Sequence, residues 1–358
     1  MSIDYATALD IGVRKLQQGG INEDSVAVNV LEEGHLDAER DAAVFVLADG
    51  AGGEEAGDIA SYVATVEVTR RLSRALWDSR QLDDVLGAPG GRRLHEAAIA
   101  DPLGDGDGDW LLERIETAIE STHTRILQMV QELGLDGAYT TVVAGVKAGD
   151  RLYYGWVGDS RAYVINDHPE RMETERISRL TRDHSVVERL LQRGEIDAIE
   201  AHVHREGNRI TRALGGTDSH DPVESTVDVE TNDVRLYADD TVLFTSDGVI
   251  DAYADAPELH EQYQQADDTS RIEETILEKS VTDDEIRDVV LETDSLEAAA
   301  GRFVTLANRR GGKDNISVVL FEDRSLERSP ADGLPVRSHD PPGADVGDRD
   351  TVIRDPNP

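Results

Sequence analysis

No cysteine occurs among the 358 residues, which excludes disulfides, thiol nucleophiles and zinc sites built on thiolates. Lysine is nearly as scarce: of 36 basic residues only Lys15, Lys147, Lys279 and Lys313 are lysines, against 74 acidic residues and a net charge of −38. A chain this acidic is repelled by nucleic acid, so no nucleic-acid partner is expected. Dense carboxylates with few lysines fit a salt-rich cytoplasm, where the Debye length shrinks to ~3 Å at 1 M salt and self-repulsion costs little. The composition therefore points to a halophilic source. No apolar run approaches the ~18 residues of a membrane-spanning helix, and Met1 to Tyr5 has neither the basic nor the apolar part of a signal peptide. A cytoplasmic monomer with no membrane partner is expected, and an apolar content of 39% suffices for a sizeable core.

The stretch from Val44 to Ser61 is the one around which the chain is organised. An unbroken apolar run ends in Asp49, passes through a turn with glycines at 50, 52 and 53, and enters a helix with an acidic first turn. A buried strand thus delivers a carboxylate to an open edge, and the glycines let the backbone approach a ligand closely. The Gly50 carbonyl beside that carboxylate would suit a hard divalent cation such as magnesium or manganese. Taken alone, an ordinary strand-to-helix turn explains the same residues equally well.

Along the chain, Tyr5 to Val13 and Asp24 to Leu31 alternate as strands joined through Gly19-Gly20 and Asn22-Glu23-Asp24. Helices are predicted from Glu54 to Trp77 and from Trp110 to Leu133. Between them, residues 83 to 109 carry little that could pack; their Asp/Gly alternation lacks the closing Glu of a calcium loop and reads as a solvated linker. Strands resume at Tyr139 to Val146 and Arg151 to Val157, the second ending in the turn Gly158-Asp159-Ser160-Arg161. A further strand, from Thr241, is the third to end in an acid at a glycine turn, Asp247-Gly248, and Asp314-Asn315 places a fourth carboxylate at the start of the strand Ile316 to Phe321. Residues 252 to 282 read as polar helices and loops, and Leu296 to Asn308 as a helix closed by Gly311-Gly312. The segment 324–358 is rich in Pro and Asp and is predicted to be a disordered acidic tail.

Glu23, Asp49, Asp159, Asp247 and Asp314 each stand at a predicted strand end or turn. Carboxylates converging on one edge repel unless cations hold them. A two-metal hydrolytic centre is the economical interpretation, with cations ~3.5–4 Å apart sharing a carboxylate and a water whose pKa they lower.

In this order the motifs Asn22-Glu23-Asp24-Ser25, Ala48-Asp49-Gly50-Ala51-Gly52-Gly53, Val157-Gly158-Asp159-Ser160-Arg161, Leu180-Thr181-Arg182-Asp183-His184-Ser185, Asn208 to Gly215, Thr245-Ser246-Asp247-Gly248 and Asp314 to Val319 resemble the metal-dependent serine/threonine protein phosphatases of type 2C. The resemblance implies an α+β fold, a four-layer αββα sandwich of two mostly antiparallel sheets flanked by helix pairs. It would occupy residues 1–323, with insertions near 83–109 and 252–282. It further implies that phosphorylated proteins are the substrates and that two tightly bound Mn2+ or Mg2+ ions are the cofactors, with a third, weaker ion. By the same resemblance Asp49 would bridge the two ions and Gly50 would offer its carbonyl. Glu23 would serve one ion and Asp247 and Asp314 the other, while Asp24 would orient water and Asp159 would hold the third ion. Residues Asp183 to Leu214 would form a flap beside the cleft, with a structural His184.

Two positions depart from the family pattern. Arg14, on the first predicted strand but eight residues before Asn22, is the candidate to hold the substrate phosphate by a bidentate contact. Ala51 stands where the eukaryotic branch places a histidine. The competing readings are a pseudophosphatase that binds phosphorylated partners without turnover, against which the intact acid set argues, and a hydrolase of small phosphate esters.

Overall fold

The computed structural model describes residues 2–32, 34–35, 38–39, 41–51, 56–78, 108–135, 137–216, 225–251, 256–266, 268–330, 333 and 337. In chain order the strands are β1 (Ile3–Asp10), β2 (Asp24–Leu31), β3 (Gly34–His35), β4 (Ala38–Glu39), β5 (Ala42–Ala51), β6 (Tyr139–Thr140), β7 (Val142–Ala148), β8 (Arg151–Val157), β9 (Arg161–Asn166), β10 (Ile177–Arg179), β11 (Glu230–Arg235), β12 (Asp240–Thr245) and β13 (Ile316–Asp323). The helices are α1 (Val13–Gln17), α2 (Gly57–Asp78), α3 (Gly108–Leu133), α4 (Val186–Gln192), α5 (Ala198–Ala201), α6 (Asp247–Ile250), α7 (Ala256–Gln265), α8 (Ser270–Lys279), α9 (Asp283–Leu291) and α10 (Leu296–Arg310).

One antiparallel sheet runs β1-β13-β12-β9-β10 and the other β11-β8-β7-β5-β2, with β6 beside β5 and a small β3-β4 hairpin apart. Strand β5 shows why its sequence is an unbroken apolar run. Ala43, Phe45 and Leu47 point between the sheets, where Phe45 stacks on Phe321 with centroids 3.8 Å apart. Val44, Val46 and Ala48 point the other way, under α2 and α3 with Val68, Leu72, Ile115 and Ile119. On β13 the same period of two sends Val319 and Phe321 between the sheets and Ile316, Val318 and Leu320 under α9 and α10 with Ile286 and Phe303. Both sheets are buried on two faces, and the layers are helix, sheet, sheet, helix, as expected from the resemblance.

Several boundaries differ from the sequence reading. The first strand stops at Asp10, because Gly12 takes φ 83° and its N–H bonds back to Asp10 Oδ1, turning the chain into α1. Residues 161–166, of which only Arg161 was placed, in a turn, form β9, which pairs with β12 and β10; strands β10 and β11 carried no clear alternation. The helix expected from Glu54 is described from Gly57, and the glycines at 52 and 53 lie outside the described residues, as does most of the stretch 83–109. The tail does not leave the fold at 324: Ser329 donates to Asp239 Oδ2 at 2.6 Å, and Arg337 donates to Asp240 at 2.6 and 2.9 Å, so residues 324–330 and 337 pack on the sandwich. Arginines and serines that read as solvated tail residues instead satisfy buried carboxylates at the β11–β12 turn. The rest of the tail lies outside the described residues.

Candidate metal centre

Strand register gathers the acids at one end of the sandwich. Asp24 opens β2 directly opposite Asp49 near the end of β5. Strand β8 ends at Val157, opposite the first residue of β7, and Asp159 follows two residues on. Thr245, the last residue of β12, pairs with Arg161 and Val318, so Asp247 leaves the same end. Asp314 precedes Ile316, which pairs with Asp10 where β1 stops.

Two glycines make the close approach possible. A Cβ on Gly50 would stand 2.1 Å from the Gly57 carbonyl oxygen and 2.6 Å from that of Glu23, whose carbonyl accepts the Gly50 N–H at 3.1 Å. Gly158, at φ 108°, would meet the Thr141 side chain at 2.6 Å. Any side chain at either position would push the acids apart.

The electrostatics of this end are strained without cations. Burial, reinforced by Asp24, Asp247, Asp314 and Asp159, holds the Asp49 carboxyl well above its ordinary range. Burial likewise raises Asp159, with Asp247, Asp183 and Asp251 adding to it. Asp24 is pushed up to about 6 by burial and Asp314, against hydrogen bonds from Ser317 and Ser246. Asp247 is pushed up to about 7 by burial, Asp314 and Asp251. Ser317 Oγ donates to Asp24 Oδ2 at 2.7 Å, but Asp24 Oδ1 is buried without a hydrogen-bond partner. An orphaned carboxylate oxygen among mutually repelling acids fits a divalent cation with oxygen ligands.

Lys15, which the sequence reading passed over, relieves part of this repulsion. Its ammonium donates to Asp314 Oδ1 at 2.7 Å, Asn315 Oδ1 at 2.8 Å and Glu23 Oε2 at 3.0 Å. Burial works against its charge, yet Asp314 and Glu23 outweigh that and raise its pKa. Arg14 is not on a strand; it lies on α1 with its side chain exposed. Asn315, also unassigned from sequence, accepts the Glu23 N–H at 2.8 Å and donates to the carbonyls of Ile11 and Ile21, tying the turn before Glu23 to the start of β13.

Asp159 and Asp247 open onto a cavity of about 550 Å³, also lined by Arg161, Asp183, His202 and Asp251. Asp251, four residues after Asp247 on the turn of α6, is a further half-buried acid with a raised pKa, caused by burial and opposed by Lys313 and Arg161. The expected flap forms the other wall of this cavity. Arg161 anchors it through Asp183 at 2.8 Å. His184 is enclosed: its Nδ1 accepts the Gly158 N–H at 3.0 Å, its Nε2 lies 3.0 Å from Glu230, and its ring stacks on Trp156. Those contacts give it a structural place, as expected.

An αββα sandwich with clustered, partly covered acids, an orphaned carboxylate oxygen and glycine-lined close approaches at one end defines a metal-dependent hydrolase of the phosphatase kind. The family profile described as Protein phosphatase 2C matches residues 11–299, and the chain belongs to that family. It is 31% identical over 285 residues to the serine/threonine phosphatase stp of Listeria welshimeri, covering 80% of this chain and 86% of that protein. The crystal structure of the Mycobacterium tuberculosis serine/threonine phosphatase PstP/Ppp superposes with a TM-score of 0.58 at 26% identity, covering 91% of this chain and 99% of that one. The catalytic domain of PstP in complex with two manganese ions superposes with a TM-score of 0.55 at 25% identity, covering 89% and 97%.

Proposed function

We propose that this chain is a serine/threonine protein phosphatase that hydrolyses phosphoserine and phosphothreonine in proteins with the help of two divalent cations. The observation that carries the reading is the Asp24 and Asp49 pair, opposed across β2 and β5, Asp24 buried and Asp49 half-buried, both raised in pKa, with one oxygen of Asp24 unpartnered. Asp49 would hold both ions, with the Gly50 carbonyl as a further ligand, Glu23 would serve one ion, and Asp247 and Asp314 the other. When bound, such a pair supplies Lewis-acid activation of water and neutralises phosphoryl charge. The chain's own part is to place and orient. Asp24 Oδ1 orients water by accepting a hydrogen bond, and Ser317 fixes the rotation of that carboxylate through Oδ2. Asn315 sets the height of the Glu23 turn. Lys15 keeps the acids together in the metal-free protein, and Arg14, exposed on α1, would hold an incoming phosphate. Asp159, beside Asp251 on the cavity wall, would take a third, weaker ion.

Manganese or magnesium both satisfy this oxygen set. The acid excess supports a halophilic source, a salt-rich cytoplasm and a chain without nucleic-acid partners; among the described residues no helix is long and apolar enough to cross a membrane. Phosphate release from a phosphothreonine peptide in molar potassium chloride tests the reading. It should require added manganese and vanish with chelator. Tight binding of the phosphopeptide with no release at any manganese concentration would favour a non-hydrolysing binder instead.

A further inference from the structure

Outside the acid-lined end, the flap and the helix pair formed by residues 256–279 meet in a small structure of their own. Val203, Leu259 and Ile276 form an apolar cluster separate from the three main cores, with Ile199, Tyr263 and Ile272 packed against it. Tyr263 reaches across to donate to Asp197 Oδ2 at 2.7 Å, and Asp197 caps α5. At one side of this cluster three ligand-type residues converge. Glu200 lies on α5, His204 is four residues later, and His260 comes from α7; one ligand atom of each lies within 4.8 Å of the other two. Glu200 is 8% exposed, His260 Nε2 stands 3.1 Å from Glu200 Oε1, and the two imidazole rings meet edge to face with centroids 4.9 Å apart.

We propose that Glu200, His204 and His260 form a zinc site that clamps the flap to the 256–279 helix pair. Two imidazoles and one carboxylate with a fourth position for water suit zinc, and they differ in kind from the all-oxygen set at the acid-lined end, which suits manganese or magnesium. In the metal-free arrangement the Glu206 N–H donates to His204 Nδ1 at 3.2 Å. Zinc on Nε2 would move the ring proton to Nδ1 and open that contact, whereas zinc on Nδ1 would replace it. Gln264 also donates to Glu200 Oε1, holding the carboxylate toward the histidines. The site has a mechanical consequence. Ala198, Ala201 and His202, on the same short segment as Glu200, line the cavity that contains Asp159 and Asp247. A metal there would fix one wall of the substrate cavity from behind, by joining two segments distant in sequence.

The site stands independently of the phosphatase reading, and its test is arranged so that the two fail separately. Zinc is titrated calorimetrically into the full chain carrying Asp49→Asn, which weakens the acid-lined centre, and into the same chain carrying His260→Gln as well. The first should bind one more zinc per chain than the second, with the lost site weakened at least ~100-fold, the upper end of what disturbing a ligand's support costs. Both chains should melt together in chelator, and zinc should raise the melting temperature of the first more. Cobalt bound in place of zinc should give visible d–d bands that His260→Gln abolishes. If His260→Gln does not fold, Glu200→Gln replaces it with the same expected loss. Equal zinc stoichiometry in the parent and variant chains, or no zinc in either, overturns the proposal.

Discussion

Asp247→Asn should stabilise the metal-free protein and gain less stability from manganese than wild type does. The Asp247 carboxyl rises from an ordinary 3.8 to about 7 in the folded chain, through burial first and then Asp314 and Asp251. A carboxyl that holds its proton more tightly when folded favours the fold fully below about pH 4. That advantage is lost as pH rises through about 7. At about 1.4 kcal/mol per pH unit, the ionised group costs the metal-free fold about 4 kcal/mol at pH 8. The side chain keeps partial solvent contact, so this figure is a ceiling. An amide of the same shape removes the cost. Melting in molar potassium chloride with chelator should therefore show Asp247→Asn up to about 8 °C above wild type at pH 8, at ~2 °C per kcal/mol, with the gap closing toward pH 4. High salt does not remove the effect, because it screens a buried group little. Manganese at about 100 times its dissociation constant adds ~2.7 kcal/mol at the site that Asp247 serves, to wild type alone, and the gap should narrow by about that amount. If the Asn variant is no more stable than wild type in chelator at pH 8, or if the gap does not change with pH, the raised carboxyl is not a frustrated metal ligand.

Asp159→Asn should leave two manganese ions bound while lowering turnover on a phosphopeptide. Because Asp159 repels Asp247, Asp183 and Asp251, its melting temperature in chelator should rise; unchanged turnover, or loss of both tight ions, contradicts the third-ion role. Arg14→Ala should raise KM for the phosphopeptide more than it lowers kcat, whereas Lys15→Ala, which leaves Glu23 and Asp314 without their ammonium, should mainly lower metal-free stability. Unchanged kinetics in Arg14→Ala with a raised KM in Lys15→Ala would transfer the phosphate contact to Lys15.

Much of this molecule is legible in its sequence because buried strands on both faces read as apolar runs and several of those runs begin or end beside an acid. Asp49, Asp159, Asp247 and Asp314 were found that way, and strand register places them at one end, Asp24 opposite Asp49. Lys15 was missed because a lysine next to Arg14 carries no periodic signal; its role depends on Gly12 turning the chain into α1, which only the positive φ reveals. Its rarity, one lysine of four, was the available clue. Asp251 sits four residues after Asp247, a spacing that would have placed both on one face had the segment been read as a helical turn. The Glu200, His204 and His260 group spans 61 positions inclusive of its ends and joins two segments whose contact depends on the Val203, Leu259 and Ile276 cluster. No local pattern announces such a meeting. The short strands β10 and β11 lack alternation because their residues are only partly covered.

Manganese binding and phosphate release by Asp49→Asn, measured on one preparation beside wild type in molar potassium chloride, test the central claim most directly. Asp49 is coupled to Asp24, Asp247, Asp314 and Asp159 at once, so an amide there should abolish both the binding of two manganese ions and the release of phosphate from a phosphothreonine peptide. Two ions retained with near-normal turnover would contradict the two-metal account.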